Sequence, residues 1–282
     1  MKISVSSYSF GSYTDPSNLG FKGIMDEAVK MGFEGIEIDS NDQTNDPEII
    51  KMIRKHSEEI SLPIVAFDVG ADFTKEGSSL SDEIDRVKSL VDVASALGAP
   101  MMRHDVCYGN FGRRYGIGFD DVLPAIVEGC RAVADYAEKR GVMTMFENHG
   151  YFIQDASRVE KLINAVAHPN FGYLIDVGNF MCADEDPNRA TGLLAKYAVH
   201  AHAKDFHFKS GICECPGEGW FPTRSGNYLR GAVIGHGDAN CAQSIRKLKE
   251  SGYDGYVTVE FEGIEDNLKG IRLGLENLKK YI

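Results

Sequence analysis

Four side chains of metal-binding type stand at the ends of four successive apolar runs. Glu147 closes Met145-Phe146-Glu147, Asp176 closes Leu174-Ile175-Asp176, His202 closes Val199-His200-Ala201-His202, and Glu260 closes Val257-Thr258-Val259-Glu260. Three carboxylates converging on a dry pocket repel one another and raise their own pKa values unless a cation stands among them. A divalent metal removes that conflict. Three oxygens and one nitrogen suit Mn2+, Mg2+, Co2+ or Zn2+, and the oxygen majority favours Mn2+. Taken singly, each residue has a plainer explanation as the polar cap where a strand leaves the core. Four in succession argue for the metal. His200 and His202 share strand parity, so alternation does not separate them. His202 is the expected ligand because it lies nearer the loop end, with His200 one layer deeper as a core histidine or a support for a ligand.

Other polar residues end runs nearby and are candidates to bind substrate. Arg103 and His104 close the fourth run, where a hydroxyl, carboxylate or phosphate could be held; a salt bridge and a capped strand end is the plainer alternative. Lys204 and Asp205 follow His202, and read as substrate-binding residues or an internal ion pair, with a solvated pair as the plainer alternative. His149 has the same parity as Glu147 and could contact substrate or orient that carboxylate. Tyr8 and Phe10, after the first run, would form an apolar wall or pack in the core.

The elements that must position these groups repeat along the chain. Short apolar runs at 3–7, 35–38, 64–67, 100–104, 142–147, 172–176, 198–202 and 256–260 alternate with segments of helical period at 21–31, 46–60, 80–97, 120–140, 156–166, 188–196, 240–250 and 266–280. This is the rhythm of βα units around a parallel sheet. Gly32, Gly98, Gly141 and Gly252 follow helical segments, where a left-handed residue ends a helix. No Pro- or Ser-rich linker divides the chain. The expected fold is α/β, a single (β/α)8 TIM barrel over residues 1–282, with a doubly wound sheet as the alternative. One connection, 205–237, is too long: it is Gly-rich, carries Trp220, Phe221 and Tyr228, shows no helical period, and reads as a lid over the carboxyl-end mouth.

Composition narrows the function. The 282 residues carry 30 basic and 42 acidic side chains, a formal charge of −12, which argues against nucleic acid or an anionic membrane as partner. No segment approaches a membrane span, and residues 1–10 lack the apolar core of a signal peptide, so the expected location is cytoplasmic. The six cysteines are read as reduced thiols, and the Cys213-Glu214-Cys215 pair lacks the spacing of a structural zinc site. The expected partner is a small molecule; a homo-oligomer is left open.

The segments Glu147-Asn148-His149, NFGYLIDVGN at 170–179, His200-Ala201-His202-Ala203-Lys204-Asp205, Gly235-His236-Gly237-Asp238, and Gly252-Tyr253-Asp254-Gly255 leading to Glu260-Phe261-Glu262-Gly263 together resemble the xylose isomerase-like superfamily of sugar (phosphate) isomerases and epimerases. Relatives in that superfamily include tagatose-type epimerases, hydroxypyruvate isomerase, inosose dehydratase and endonuclease IV. The resemblance implies the same four ligands, Glu147, Asp176, His202 and Glu260. In its epimerase and ketol-isomerase branches it further implies that Glu147 and Glu260 are the catalytic pair, exchanging protons on opposite faces of a metal-bound enediolate. One departure matters: Asn179 stands three residues after Asp176, where nuclease relatives need a further zinc-binding His, so endonuclease activity is disfavoured. The leading expectation is a metal-dependent isomerase or epimerase of a sugar or polyol keto-compound. The alternatives are a lyase (an inosose dehydratase, or C-glycoside cleavage) using the same metal and glutamates, and a metal-free sugar-binding subunit.

Overall fold

The protein is described by a computed structural model at residues 1–75, 77–109 and 117–282. Eight parallel strands close into a barrel: β1 (Lys2–Ser6), β2 (Ile36–Asp39), β3 (Ile64–Val69), β4 (Met101–His104), β5 (Met143–Glu147), β6 (Phe171–Asp176), β7 (Ala198–Ala203) and, after three strands outside the barrel, β11 (Tyr256–Val259), which pairs with both β1 and β7. Helices α1 (Gly20–Met31), α2 (Pro47–Ile60), α3 (Leu80–Leu97), α4 (Phe119–Glu138), α5 (Ala156–Val166), α6 (Pro187–Leu194), α7 (Cys241–Glu250) and α8 (Asn267–Leu278) follow the barrel strands or, for α7, the excursion after β7. Among the described residues no helix is long and apolar enough to cross a membrane.

Local chemistry sets the helix ends. Asp46, Ser79, Asp155 and Asp186 accept hydrogen bonds from amides in the first turns of α2, α3, α5 and α6, satisfying donors that the helix leaves open. All four glycines expected to end helices have positive φ.

Each barrel strand is covered on both faces, and its side chains alternate between them. On β5, Phe146 faces the helices and stacks on Phe171, with ring centres 5.6 Å apart. Met145, two residues before Glu147, packs with Ala66 and Leu174 in a small cluster separate from the main core. That apolar plug underlies a polar barrel interior, with Ser4, Glu37, Asp68, His200, His202 and Thr258 all buried.

The stretch 205–237 departs from the expectation of an irregular loop. β8 (Asp205–Lys209) and β10 (Tyr228–Ala232) pair antiparallel, and β9 (Phe221–Pro222) joins them in a three-stranded sheet. Phe206 and Leu229 bury their side chains together with Cys182. The Gly-rich segment between the paired strands hides their alternation. The sheet lies on the carboxyl-end face: Gly231 bridges to Gly263 after β11, and Tyr151 after β5 donates to the Pro222 carbonyl at 2.9 Å.

Asp205 ties this excursion to the barrel. Its carboxylate accepts the amides of Phe206 (2.9 Å), Gly235 (2.8 Å), Gly237 (3.0 Å) and Ala239 (3.0 Å). A Cβ on Gly237 would stand 2.3 Å from the Asp205 carboxylate, so this turn requires glycine.

Candidate metal centre

At the carboxyl ends of β5, β6, β7 and β11, one donor atom from each of Glu147, Asp176, His202 and Glu260 lies within 4.8 Å of the others. His202 Nδ1 is 3.1 Å from Glu260 Oε2, 3.8 Å from Glu147 Oε1 and 4.0 Å from Asp176 Oδ2. All four side chains are buried.

Each of the four side chains is aimed by its neighbours. Asp176 Oδ1 accepts the amides of Gly178 (2.7 Å) and Asn179 (2.9 Å), turning Oδ2 toward the cluster. Arg103 Nε donates to Glu147 Oε2 at 2.7 Å, and Asn179 Nδ2 donates to Glu147 Oε1 at 2.8 Å. Asn148 laces β5 to β6, accepting the Asp176 amide at 2.9 Å and the Tyr173 hydroxyl at 2.8 Å, and donating to the Asp176 carbonyl at 2.9 Å. Gly178 lets the two strand ends approach, because a Cβ there would meet the Lys204 carbonyl oxygen at 2.4 Å.

Lys204 Nζ stands 2.8 Å from Glu260 Oε2 and 3.6 Å from both Asp176 Oδ2 and Glu262 Oε2. Burial opposes charge on Glu260, but Lys204 and His202 outweigh it and hold that carboxyl well below its ordinary range. Burial, reinforced by Glu147 and Glu260, pushes the Asp176 carboxyl up to about 8 in spite of Lys204. Burial opposes a second proton on His202, yet Glu37 and Glu260 on its two sides raise its pKa well above the usual value. Asp176 Oδ2 is buried with no hydrogen-bond partner among the described residues. A buried carboxylate oxygen left unsatisfied among two more carboxylates and an imidazole fits a divalent ion, which would take that lone pair.

Beside the cluster lies a polar cavity of about 260 Å3, lined by Tyr8, Asp39, Ser40, Gly70, Arg103, Asp105, His149, Lys204, Glu260 and Glu262. Three of the five residues expected to bind substrate, Arg103, His149 and Lys204, are among these. His104 is placed elsewhere: alternation on β4 sends Arg103 inward and His104 outward, where its ring packs edge-on against Phe73 at 5.7 Å and its Nδ1 bonds the Asp105 carbonyl at 2.8 Å. Asp205 likewise faces backbone amides rather than the cavity. Of the two aromatics after β1, Phe10 is fully buried in the core, while Tyr8 lines the cavity and its hydroxyl lies 3.4 Å from Glu262 Oε2. Asp105 holds His149 Nδ1 at 2.9 Å and the Tyr108 hydroxyl at 2.8 Å. Burial pushes the Asp39 carboxyl up to about 6 despite Arg103.

Glu37, Asp39 and Asp68 are not singled out in the sequence: Glu37 lies inside the run 35–38 rather than at its end, and Asp39 and Asp68 fall one residue beyond the runs 35–38 and 64–67. The polar residues at every second position of Ile36-Glu37-Ile38-Asp39 were the available signal. The six cysteines are free, with Cys213 and Cys215 exposed.

A family model described as xylose isomerase-like TIM barrel matches residues 25–281. An inosose dehydratase of Lacticaseibacillus casei is 24% identical over 144 residues, 51% of this chain and 48% of that protein. The chain thus spans about half the length of the curated relatives it matches. Among solved structures, a D-allulose 3-epimerase from Methylomonas sp. superposes with a TM-score of 0.76 at 16% identity, covering 100% of this chain and 98% of that one. The IolI protein with a bound zinc atom superposes with a TM-score of 0.76 at 18% identity, covering 100% and 99%.

Proposed function

Because this chain belongs to the xylose isomerase-like TIM-barrel family, we propose that it is a divalent-metal-dependent isomerase or epimerase of a sugar or polyol keto-compound. The observation that carries this reading is the cluster of Glu147, Asp176, His202 and Glu260 opening on a small polar cavity. An ion bound there would polarise a carbonyl and its adjacent hydroxyl and so acidify the neighbouring C–H. The oxygen-rich donor set favours Mn2+, and the zinc of the IolI structure makes Zn2+ the alternative.

The two glutamates differ in their freedom to act as bases. Glu147 has both oxygens engaged, by Arg103 and Asn179, and is absent from the cavity lining. Glu260 lines the cavity, and its contacts with His202 Nδ1 and Lys204 Nζ are both made through Oε2. Glu260 therefore takes the first proton from the substrate carbon, leaving an enediolate, and Glu147 serves the opposite face. Lys204, its charge held by Glu260, Glu262 and Asp176 against the effect of burial, donates to a substrate oxygen. Arg103 fixes Glu147, while His149 and Tyr8 border the substrate's hydroxyls. The cavity suits a polyhydroxylated molecule of a few carbons.

A lyase is the second reading, favoured by the match to an inosose dehydratase: the same proton abstraction followed by loss of a β-hydroxyl gives a dehydration. The test is turnover of a panel of ketoses and inososes by the Mn2+-loaded protein in D2O, followed by NMR. Isomerisation or epimerisation with deuterium entering the carbon next to the carbonyl is the expected result. A dehydrated product would select the lyase, and binding without turnover of any member would contradict both in favour of a sugar-binding protein.

A further inference from the structure

We propose that Glu37, on β2 across the barrel from the cluster, is the residue that sets His202 as a metal ligand, by holding its Nε2 proton so that Nδ1 presents a lone pair. This inference rests on the metal reading above. Glu37 Oε2 lies 3.0 Å from His202 Nε2, on the side of the ring opposite the three carboxylates. The other oxygen, Oε1, is gripped by His200 Nε2 and by the Thr258 hydroxyl at 2.5 Å, and Thr258 Oγ1 is in turn 2.7 Å from Ser4 Oγ. Four strands thus converge on one fully buried carboxylate: β1 through Ser4, β2 through Glu37, β7 through His200 and His202, and β11 through Thr258.

A buried charge of this kind is a poor way to build stability, because apolar side chains of similar volume do as well or better. Its placement behind a ligand explains it. A neutral imidazole carries one proton, and the nitrogen that keeps it is set by the hydrogen bond it makes. With Nε2–H donated to an anion, Nδ1 carries the lone pair of the neutral ring and is more basic, and the ring is held at the angle that points it at Glu147, Asp176 and Glu260. The grip of His200 on Oε1 keeps Glu37 from turning away. His200 is thereby a positioning residue for Glu37 and not a ligand, which accounts for two histidines of equal parity on β7.

The test compares Mn2+ binding to the wild-type protein and Glu37→Gln by calorimetry. The amide is isosteric and keeps a hydrogen bond, but it carries no charge and leaves the tautomer unfixed. The dissociation constant is expected to rise about 10- to 100-fold, the usual effect of removing such a partner, while Thr258→Val, which leaves the Glu37–His202 contact in place, changes it much less. Equal affinity in wild type and Glu37→Gln, or an equal loss in Thr258→Val, overturns the inference. Should Glu37→Gln fail to fold, imidazole 15N shifts of the wild-type protein titrated with Zn2+ decide the matter: His202 is expected to carry its proton on Nε2 and bind through Nδ1, and metal on Nε2 overturns the inference. Wild-type protein that takes up neither ion overturns the metal reading itself, whereas intact wild-type binding with an unaffected Glu37→Gln overturns only the role of Glu37.

Discussion

Glu260→Gln is expected to lower turnover on the order of 10²- to 10⁴-fold, the contribution of a positioned general base, while the protein still takes up its divalent ion. Gln keeps an oxygen donor and loses the ability to accept a proton at neutral pH. Solvent deuterium should stop entering the substrate carbon, which separates loss of the base from loss of binding. Glu147→Gln is expected to behave differently. Its two oxygens accept from Arg103 and Asn179, so an amide nitrogen placed at either position meets another donor, and the variant should lose metal affinity as well as rate. Near-normal turnover by metal-loaded Glu260→Gln would remove that residue from the chemistry and shift attention to His149 or Lys204.

Asp176→Asn is expected to abolish metal binding at neutral pH yet leave the metal-free protein at least as stable as wild type. The carboxyl is raised from 3.8 to about 8 in the folded protein. A folded-state pKa above the unfolded one means that the native state holds the proton more tightly. This group's contribution is therefore most favourable below pH 3.8 and is lost as pH rises to about 8. Asn removes that pH-dependent cost, and its Oδ1 still accepts the amides of Gly178 and Asn179. In the wild-type protein the same proton competes with the metal, so affinity for Mn2+ should climb as pH rises toward about 8. Thermal melts of metal-free protein and calorimetric titrations across that range check both statements. Metal affinity independent of pH, or a markedly less stable Asp176→Asn, would contradict them.

Much of this arrangement was legible because a parallel barrel buries both faces of every strand. Apolar runs of about five residues are then conspicuous, and a charged residue closing four of them in succession is hard to explain otherwise. What was not legible lies inside the barrel and beyond the strand ends. Glu37, Asp39 and Asp68 sit at inward positions next to outward apolar residues; Glu37 lies inside a run rather than at its end, and Asp39 and Asp68 fall just past runs cut to their apolar part. Arg103 and His104 illustrate the same limit: adjacent residues on one strand face opposite sides, so only one reaches the cavity. Asp205 looked like a partner of Lys204 in sequence, whereas its four backbone donors come from its immediate neighbour and from residues 235–239, a contact no local pattern announces. Asn179 read as the absence of a ligand, and the structure gives it a positive task, donating to Glu147.

The most direct test of the central claim is anomalous diffraction from crystals of the full chain equilibrated with Mn2+. One peak is expected per chain, roughly 2.0 to 2.5 Å from Glu147, Asp176 Oδ2, His202 Nδ1 and Glu260, the range for oxygen and nitrogen donors on a divalent ion. A peak elsewhere, or none at these four side chains under saturating Mn2+, would contradict the account.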